Sequence, residues 1–255
     1  MRFQIGKRIK ASLRNKLEKS SFQELRKSTL KKISSGQILQ LETKDEIEIA
    51  TEYLEDLGLP GHHDRMKNWD LSLSVNACME LDRGSRVLDA GSGSKAVFAS
   101  SMHKLGFVNA YACDFQKISC DNVYRETCDI IDTPYPDSFF SAIACLSVIE
   151  HGVDLKLFAK EMNRIAKLGC KLLISTDFWP EPEDYSDRFP YGLNNPPMKL
   201  FNNSSVREFI DVLELHGWSV PEFENFMPTI ERPIHWERMN ASYTFLWFEV
   251  TKIVN

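Results

Sequence analysis

The sequence predicts an α/β fold: a mostly parallel sheet with helices on both faces, preceded by a helical extension at the N-terminus. Three observations carry that expectation. From Ser85 onward, short β-rich apolar runs alternate with helical segments, the pattern of strands joined by crossover helices. The strand-like run Val87-Leu88-Asp89-Ala90 enters a glycine turn, Gly91-Ser92-Gly93, and a helical segment follows. Before Ser85 the chain has a different character, a basic amphipathic stretch and then two further helical segments.

Bulk composition sets the frame. The 255 residues are 43% hydrophobic and 26% charged, ordinary for a globular protein with a substantial core. No apolar run reaches the roughly 18–20 residues of a membrane span, and the N-terminus lacks the apolar core of a secretory signal, so a cytoplasmic location is expected. Six cysteines stand at irregular spacings without a C-x-x-C pair, so reduced thiols are expected and no metal site. The net charge of −5 is unevenly spread. Residues 1–32 hold eleven Lys/Arg against two Glu, and the remainder twenty against thirty-four Asp/Glu. An acidic body disfavours a nucleic-acid partner, because phosphate affinity comes from clustered Lys/Arg.

Taken in order, residues 1–36 read as a basic amphipathic arm. Ile5, Ile9, Leu13 and Leu17 form one apolar stripe, with Lys7, Arg8, Lys10, Arg14 and Lys16 around it. Such a helix suits either peripheral contact with an anionic membrane surface or docking on a partner. Residues 37–84 read as a helical lead-in and cover for the site. One helix spans 43–57 and stops at the turn Gly58-Leu59-Pro60-Gly61, and a second runs from a cap at Asp70 to about Leu81. Residues 85–255 form the core. Strands are expected at 86–90, 110–113, 143–146, 171–175 and 243–254, and helices at 96–105, 155–167 and 205–216, with Gly169 and Gly217 as helix-ending glycines. Residues 178–203 hold five prolines with Trp179, Tyr185, Phe189 and Tyr191 among them, and read as an aromatic lid.

The glycine turn is the centre of the functional reading. Glycines there let the backbone approach a ligand, and ligands of open α/β sheets bind at the carboxyl ends of the strands. Gly91-x-Gly93-x-x-Ala96 also satisfies the relaxed dinucleotide fingerprint. Asp89 argues otherwise: its carboxylate would repel a pyrophosphate and welcome an amino group. Asp114, twenty-one residues after Gly93, ends the next strand where an acid accepts ribose hydroxyls. Asp129 stands where a third strand would end and can accept from an adenine amine. The bland alternatives are a helix cap for Asp89 and solvated turn acids for Asp114 and Asp129.

The stretch from Arg86 to about Thr176 resembles the class I S-adenosylmethionine-dependent methyltransferases, in particular the broad Methyltransf_11-like branch. The residues that carry the resemblance are Val87–Gly93, Ala112-Cys113-Asp114, Cys128-Asp129-Ile130, Pro136–Ile143, Leu146-Ser147-Val148-Ile149-Glu150-His151 and Lys171–Thr176. The resemblance implies a Rossmann-like, seven-stranded sheet whose last strand is antiparallel, and S-adenosyl-L-methionine as cofactor. It implies cofactor contacts from Asp89, Gly91, Ser92, Gly93, Asp114, Phe115, Asp129 and Ile130, and a methyl-transfer site lined by residues after the fourth strand. Lys95 departs from the pattern, standing where many relatives have a third glycine. Lys67-Asn68-Trp69-Asp70 resembles relatives found among glycan and lipid-carrier biosynthesis proteins.

Methyl transfer to a hydroxyl needs a group that takes its proton. His151 is the first candidate base, since imidazole titrates near neutrality, and Asp177 the second. Trp69, Trp179, Tyr185 and Tyr191 are the candidate substrate-facing aromatics. His62-His63-Asp64 lacks a third metal ligand by spacing and reads as a polar loop over the site. His235–Arg238 is late in the chain yet within possible reach of it. The expected activity is methyl transfer to a small-molecule, saccharide or lipid-linked acceptor, most simply at a hydroxyl. A non-catalytic cofactor-binding module is one alternative. A nicotinamide-dependent oxidoreductase is the other, although no tyrosine has a lysine four residues on.

Overall fold

The computed structural model describes residues 37–190, 192–194 and 196–254. The basic stripe of the N-terminal arm and Tyr191 therefore lie outside the described residues. The strands are β1 (Leu39–Gln40), β2 (Arg86–Ala90), β3 (Asn109–Asp114), β4 (Tyr124–Thr127), β5 (Phe140–Leu146), β6 (Ala166–Phe178), β7 (Trp218–Ser219), β8 (Ile234–Trp236) and β9 (Ala241–Lys252). The helices are α1 (Lys44–Asp56), α2 (Asn68–Cys78), α3 (Val97–Lys104), α4 (Leu155–Ile165) and α5 (Asn203–Leu215).

The sheet runs β1-β9-β6-β5-β2-β3-β4, with β7 and β8 also paired to β9. Strands β2 to β6 are mutually parallel, and β9 runs antiparallel to β6 from Thr244 to Thr251. The Rossmann-like α/β expectation holds, including the antiparallel last strand, but the described residues form a sheet of nine strands where seven were expected. Several strands escape a periodicity reading because they are only two or three residues long. Short β1 comes from the lead-in segment itself: Leu39 and Gln40 pair with Trp247 and Leu246.

Successive residues of the central strands face opposite layers, as the two-residue period of a strand requires. Val87, Ala112, Ala142, Leu173 and Trp247 join Ile47, Leu54, Trp69, Leu73 and Phe98 in one apolar layer. Leu88, Cys113, Ile143, Leu172 and Phe248 join Phe158, Met162, Phe209 and Leu213 in the other. Both faces are thus covered by helices, which parallel strands need. Asp154 caps α4 by accepting from the N–H groups of Lys156 and Leu157, each at 3.0 Å. Asn202 caps α5 through the N–H groups of Ser204 and Ser205.

Two local expectations are corrected. Asp70 does not cap α2, which starts at Asn68. It is buried inside the first turn, where it accepts from Ser175 Oγ at 2.5 Å and Leu71 N–H at 2.9 Å. Gly169 does not end a helix either. Helix α4 stops at Ile165, Ala166 already pairs with Phe140, and Gly169 (φ +77°) lies within β6 beside the register shift between Phe140 and Ala142. Among the described residues no helix is long and apolar enough to cross a membrane.

Candidate functional site

The chain leaves β2 for β3 on one side and later returns to β5 on the other. That reversal opens a crevice at the carboxyl ends of the strands. A cavity of about 840 Å³ occupies it.

One end of the cavity is built by the glycine turn. Gly91 and Ser92 donate to Cys113 O at 2.8 and 3.1 Å, tying the turn to β3. Gly91 has φ +73°, and a Cβ there would come within 2.7 Å of both methyl groups of Val148. A side chain is therefore excluded by backbone geometry and by the opposite wall together. Asp114 Oδ2 accepts from Gly93 N–H and Oδ1 from Gln116 N–H, both at 2.8 Å, so the acid is fixed by the loop it orders. Asp89 is buried and its Oδ2 accepts from Ala99 N–H at 3.1 Å, near the start of α3. Burial pushes its carboxyl up to about 7 against the pull of those backbone donors. Phe115, 77% exposed, and Ile130 flank Asp129 on the cavity wall. Asp129 Oδ1 accepts from Ile131 N–H at 3.1 Å.

The other end is lined by His62, Lys67, Asp70, Ser147, Val148 and His151, with Pro190, Pro196 and Pro197 from the 178–203 segment. Desolvation holds the His151 imidazole below its ordinary pKa, with Asp177 opposing and Lys67 reinforcing. His62 is lowered to about 4, first by burial and then by His63 and Lys67. Behind this wall lies a buried polar group. Glu150 Oε2 accepts from Thr176 Oγ1 at 3.2 Å, while Glu150 Oε1 is buried without a hydrogen-bond partner. Asp177, next to Thr176 on β6, accepts the Tyr243 hydroxyl. Burial raises both carboxyls; Glu150 raises Asp177 further, and Asp70 raises Glu150 further.

The structure brings Asp89, Gly91, Ser92, Gly93, Asp114, Phe115, Asp129, Ile130 and His151 to one cavity. It does not bring Asp177, Trp69, Trp179 or Tyr185 to the cavity wall. Asp177 stands behind His151, and Trp69 is buried in the core layer under α2. Trp179 has the Arg232 guanidinium 3.7 Å from its ring centroid, and Tyr185 donates to Glu183 Oε2 at 2.5 Å beneath Arg188. Arg232 closes that cluster with a 2.6 Å bond to Glu183. Trp179 and Tyr185 thus pack against arginines, and Pro190, Pro196 and Pro197 line the cavity instead. Pro196 sits against Gly152, where a Cβ would meet it at 2.9 Å. Arg238 donates to Pro190 O, so the 235–238 stretch reaches the cavity rim through that proline.

The fold is that of the class I, Rossmann-like methyltransferases, whose cofactor is S-adenosylmethionine. The residues present fit that cofactor, since the turn excludes a Cβ at Gly91, a buried acid stands behind it, and a second acid closes the next strand. Residues 88–174 match the family model described as a methyltransferase domain. Among curated proteins, none matches the chain by sequence. Solved structures share the fold. Geranyl diphosphate C-methyltransferase from Streptomyces coelicolor A3(2) is similar at 13% identity and a TM-score of 0.56, over 77% of this chain and 87% of that one. A Burkholderia thailandensis 1,6-didemethyltoxoflavin N1-methyltransferase gives 12% and 0.54, over 83% and 88%. The 4+2 cyclase SpnF gives 15% and 0.58, over 84% and 98%. Residues 88–174 of the chain thus match a methyltransferase domain, within a fold that solved methyltransferases share.

Proposed function

We propose that the chain moves the methyl group of S-adenosylmethionine to a hydroxyl of a small-molecule, saccharide or lipid-linked acceptor, with His151 taking the hydroxyl proton. The observation that carries this reading is the position of His151. It opens into the same cavity as the glycine turn, in surroundings that keep its imidazole neutral and able to accept a proton. Bound there, the cofactor supplies an electrophilic methyl. Gly91, Ser92 and Gly93 hold its methionine end with Asp89 facing the amino group, Asp114 takes the ribose hydroxyls, and Asp129, Phe115 and Ile130 take the adenine. The three prolines and Val148 give the acceptor end an apolar surface beside His62, Lys67, Asp70 and His151. Asp177 stabilises the imidazolium once it forms. Geranyl diphosphate and 1,6-didemethyltoxoflavin, bound by two of the structural neighbours, are small molecules, which supports an acceptor of that size. A lipid-linked acceptor would also give the basic stripe of residues 1–33 a surface to meet.

The test is a methyl-transfer screen over hydroxyl acceptors, with cofactor binding measured by calorimetry on the same proteins. His151→Ala is expected to bind S-adenosylmethionine normally and lose about 10²–10⁴-fold in turnover. Full turnover by His151→Ala would remove the base assignment. Cofactor binding without transfer to any acceptor would favour a non-catalytic module.

A further inference from the structure

The cavity wall holds a pair of thiols that methyl transfer does not use. All six cysteines lie among the described residues, and of them Cys128 alone lines the cavity, beside Asp129 and Ile130. Cys113 is buried behind it at the end of β3. The strand register brings the two together. Strands β3 and β4 run parallel, with Cys113 opposite Glu126 and Asp114 opposite Thr127. Residues two apart along a strand share a face, so Cys128, two beyond Glu126, falls on the face that Cys113 occupies. Both pack in the same apolar layer. Cys128 N–H donates to Asp114 O at 3.1 Å, which carries the pairing just past the end of β4. The Cys113 thiol in turn donates to Cys128 Sγ. The other thiols are placed differently. Cys78, Cys145 and Cys170 are buried away from the cavity wall, and Cys120 shares a hydrogen bond with Ser100 Oγ at 3.0 Å.

We propose that Cys128 and Cys113 form a modification site for hydrogen peroxide, in which Cys128 is oxidised first and Cys113 then closes a disulfide that weakens cofactor binding. A small oxidant enters through the cavity, so the attacking sulfur is the one on its wall. The bond from Cys113 holds the Cys128 thiol below its ordinary range, against burial and the acids Glu126, Asp129 and Glu161. The same bond, with burial, pushes Cys113 up. Cys128 is thus the thiol that more readily gives the thiolate, the form that attacks. Its sulfur takes one oxygen of the peroxide, the O–O bond breaks, and the hydroxide that leaves takes up the proton the thiol gave away. Cys128 is then a sulfenic acid. Cys113 sulfur attacks it, the S–O bond breaks, and the departing hydroxide takes the Cys113 proton. Two thiols have lost two electrons, and one peroxide has become two waters. The consequence for binding follows from the backbone. Cys113 O accepts Gly91 and Ser92 N–H, so its side is fixed to the glycine turn. Strand β4 is a four-residue edge strand with every residue exposed, so the Cys128 side gives way when the sulfurs close to bonding distance. Asp129, the next residue, moves with it. This last step rests on Asp129 as the adenine acid, and the disulfide itself does not.

The experiment treats the reduced, full-length, cofactor-free protein with hydrogen peroxide, blocks the remaining thiols with N-ethylmaleimide and maps the digest by mass spectrometry. A peptide pair linked through Cys113 and Cys128, separated again by dithiothreitol, is expected. No linked pair, or one that runs through Cys120, would overturn the proposal, and this wild-type readout depends on no variant's folding. In Cys113→Ala the second thiol is missing, so the Cys128 sulfenic acid is expected to persist and to be captured by dimedone. Capture at Cys113 in Cys128→Ser would reverse the order of attack and defeat the assignment. Calorimetry reads the consequence. The affinity of the wild type for S-adenosylmethionine is expected to fall about tenfold after peroxide, as for one lost hydrogen bond to the adenine, and to return on reduction. Cys128→Ser, compared with itself before and after peroxide, is expected to show no such fall. An equal fall there would trace the loss to other oxidised groups and break the link to binding. A linked pair in a protein that binds no S-adenosylmethionine even when reduced would keep the dithiol site and defeat the cofactor reading. Strong binding in the reduced protein with no linked pair would do the reverse.

Discussion

The carboxylate of Asp89 serves two groups at once: it accepts Ala99 N–H at the start of α3 and lines the cavity. The bond to Ala99 N–H is the helix contact that the sequence offered as one reading of this side chain, and its place on the cavity wall leaves it open to the other. Its pKa near 7 has a direct consequence for binding. A cationic ligand binds the ionised form, so affinity for S-adenosylmethionine should weaken roughly tenfold for each pH unit below about 7 and level off above it. Calorimetry across pH checks this, and Asp89→Asn should bind weakly with a much flatter profile. Equal affinity at pH 5.5 and 7.5 in the wild type would show that Asp89 does not meet the cation. At this scale the glycine-turn residues were legible because a turn without Cβ atoms, followed by acids at strand ends, leaves a linear signature. Lys67, Glu150 and Pro196 were not. Their importance comes from what α2, β6 and the 178–203 segment bring together, and no spacing within one segment encodes it.

Helix α4 and the loop before β5 are joined by two side chains, Arg164 and Glu161. Arg164 bonds Glu161 at 2.7 and 2.8 Å, Asp137 at 2.7 Å and the carbonyls of Tyr135 and Thr133 at 2.8 and 3.1 Å. Glu161 also accepts Thr133 N–H and hydroxyl at 2.8 and 2.6 Å. Burial alone would raise the Glu161 carboxyl, but these donors outweigh it and hold it below its usual range. Glu161→Ala should cost roughly 2–4 kcal/mol, because it strips buried donors of their acceptor as well as breaking an ion pair. Urea denaturation of that variant measures the cost, and a loss under 0.5 kcal/mol, about the scale of an exposed pair, would show the network to be dispensable. The long helices and strands were readable from their periodicity. β1, β7 and β8 were not, since two or three residues cannot display a period. The 178–203 segment was recognised as irregular, yet its aromatics suggested a ligand surface while its prolines line the cavity.

Across the whole molecule, proton binding tilts stability in one direction. Asp89, Asp70 and the Glu150–Asp177 pair all have raised folded-state pKa values, with burial as the first cause. Such groups contribute stability that is full below the unfolded carboxyl range near 4 and is lost as pH rises through the folded values. His62 and His151, lowered by desolvation, oppose this only below about 6.5, where unfolded histidine becomes protonated. Between about pH 6.5 and 8 the carboxyls act alone. The melting temperature of the cofactor-free protein should therefore fall across that window, as scanning calorimetry can measure. A rise would mean that these acids are ionised in the folded state. The overall architecture was the most legible level of all, because alternation of strand and helix leaves few topologies open.

Strand β9 pairs with β6 and also with β1, β7 and β8. Strand β1 comes first among the nine in the sequence and β9 last. As the polypeptide is made, Leu39 and Gln40 emerge more than two hundred residues before Leu246 and Trp247, the residues they pair with. Until then, the outer edge of β6 and the backbone of β1 are open to any other strand, including one from a neighbouring nascent chain. The acquisition of this fold in a cell is thus timed by its ninth strand, and chaperone dependence should be greatest in the interval before that strand arrives.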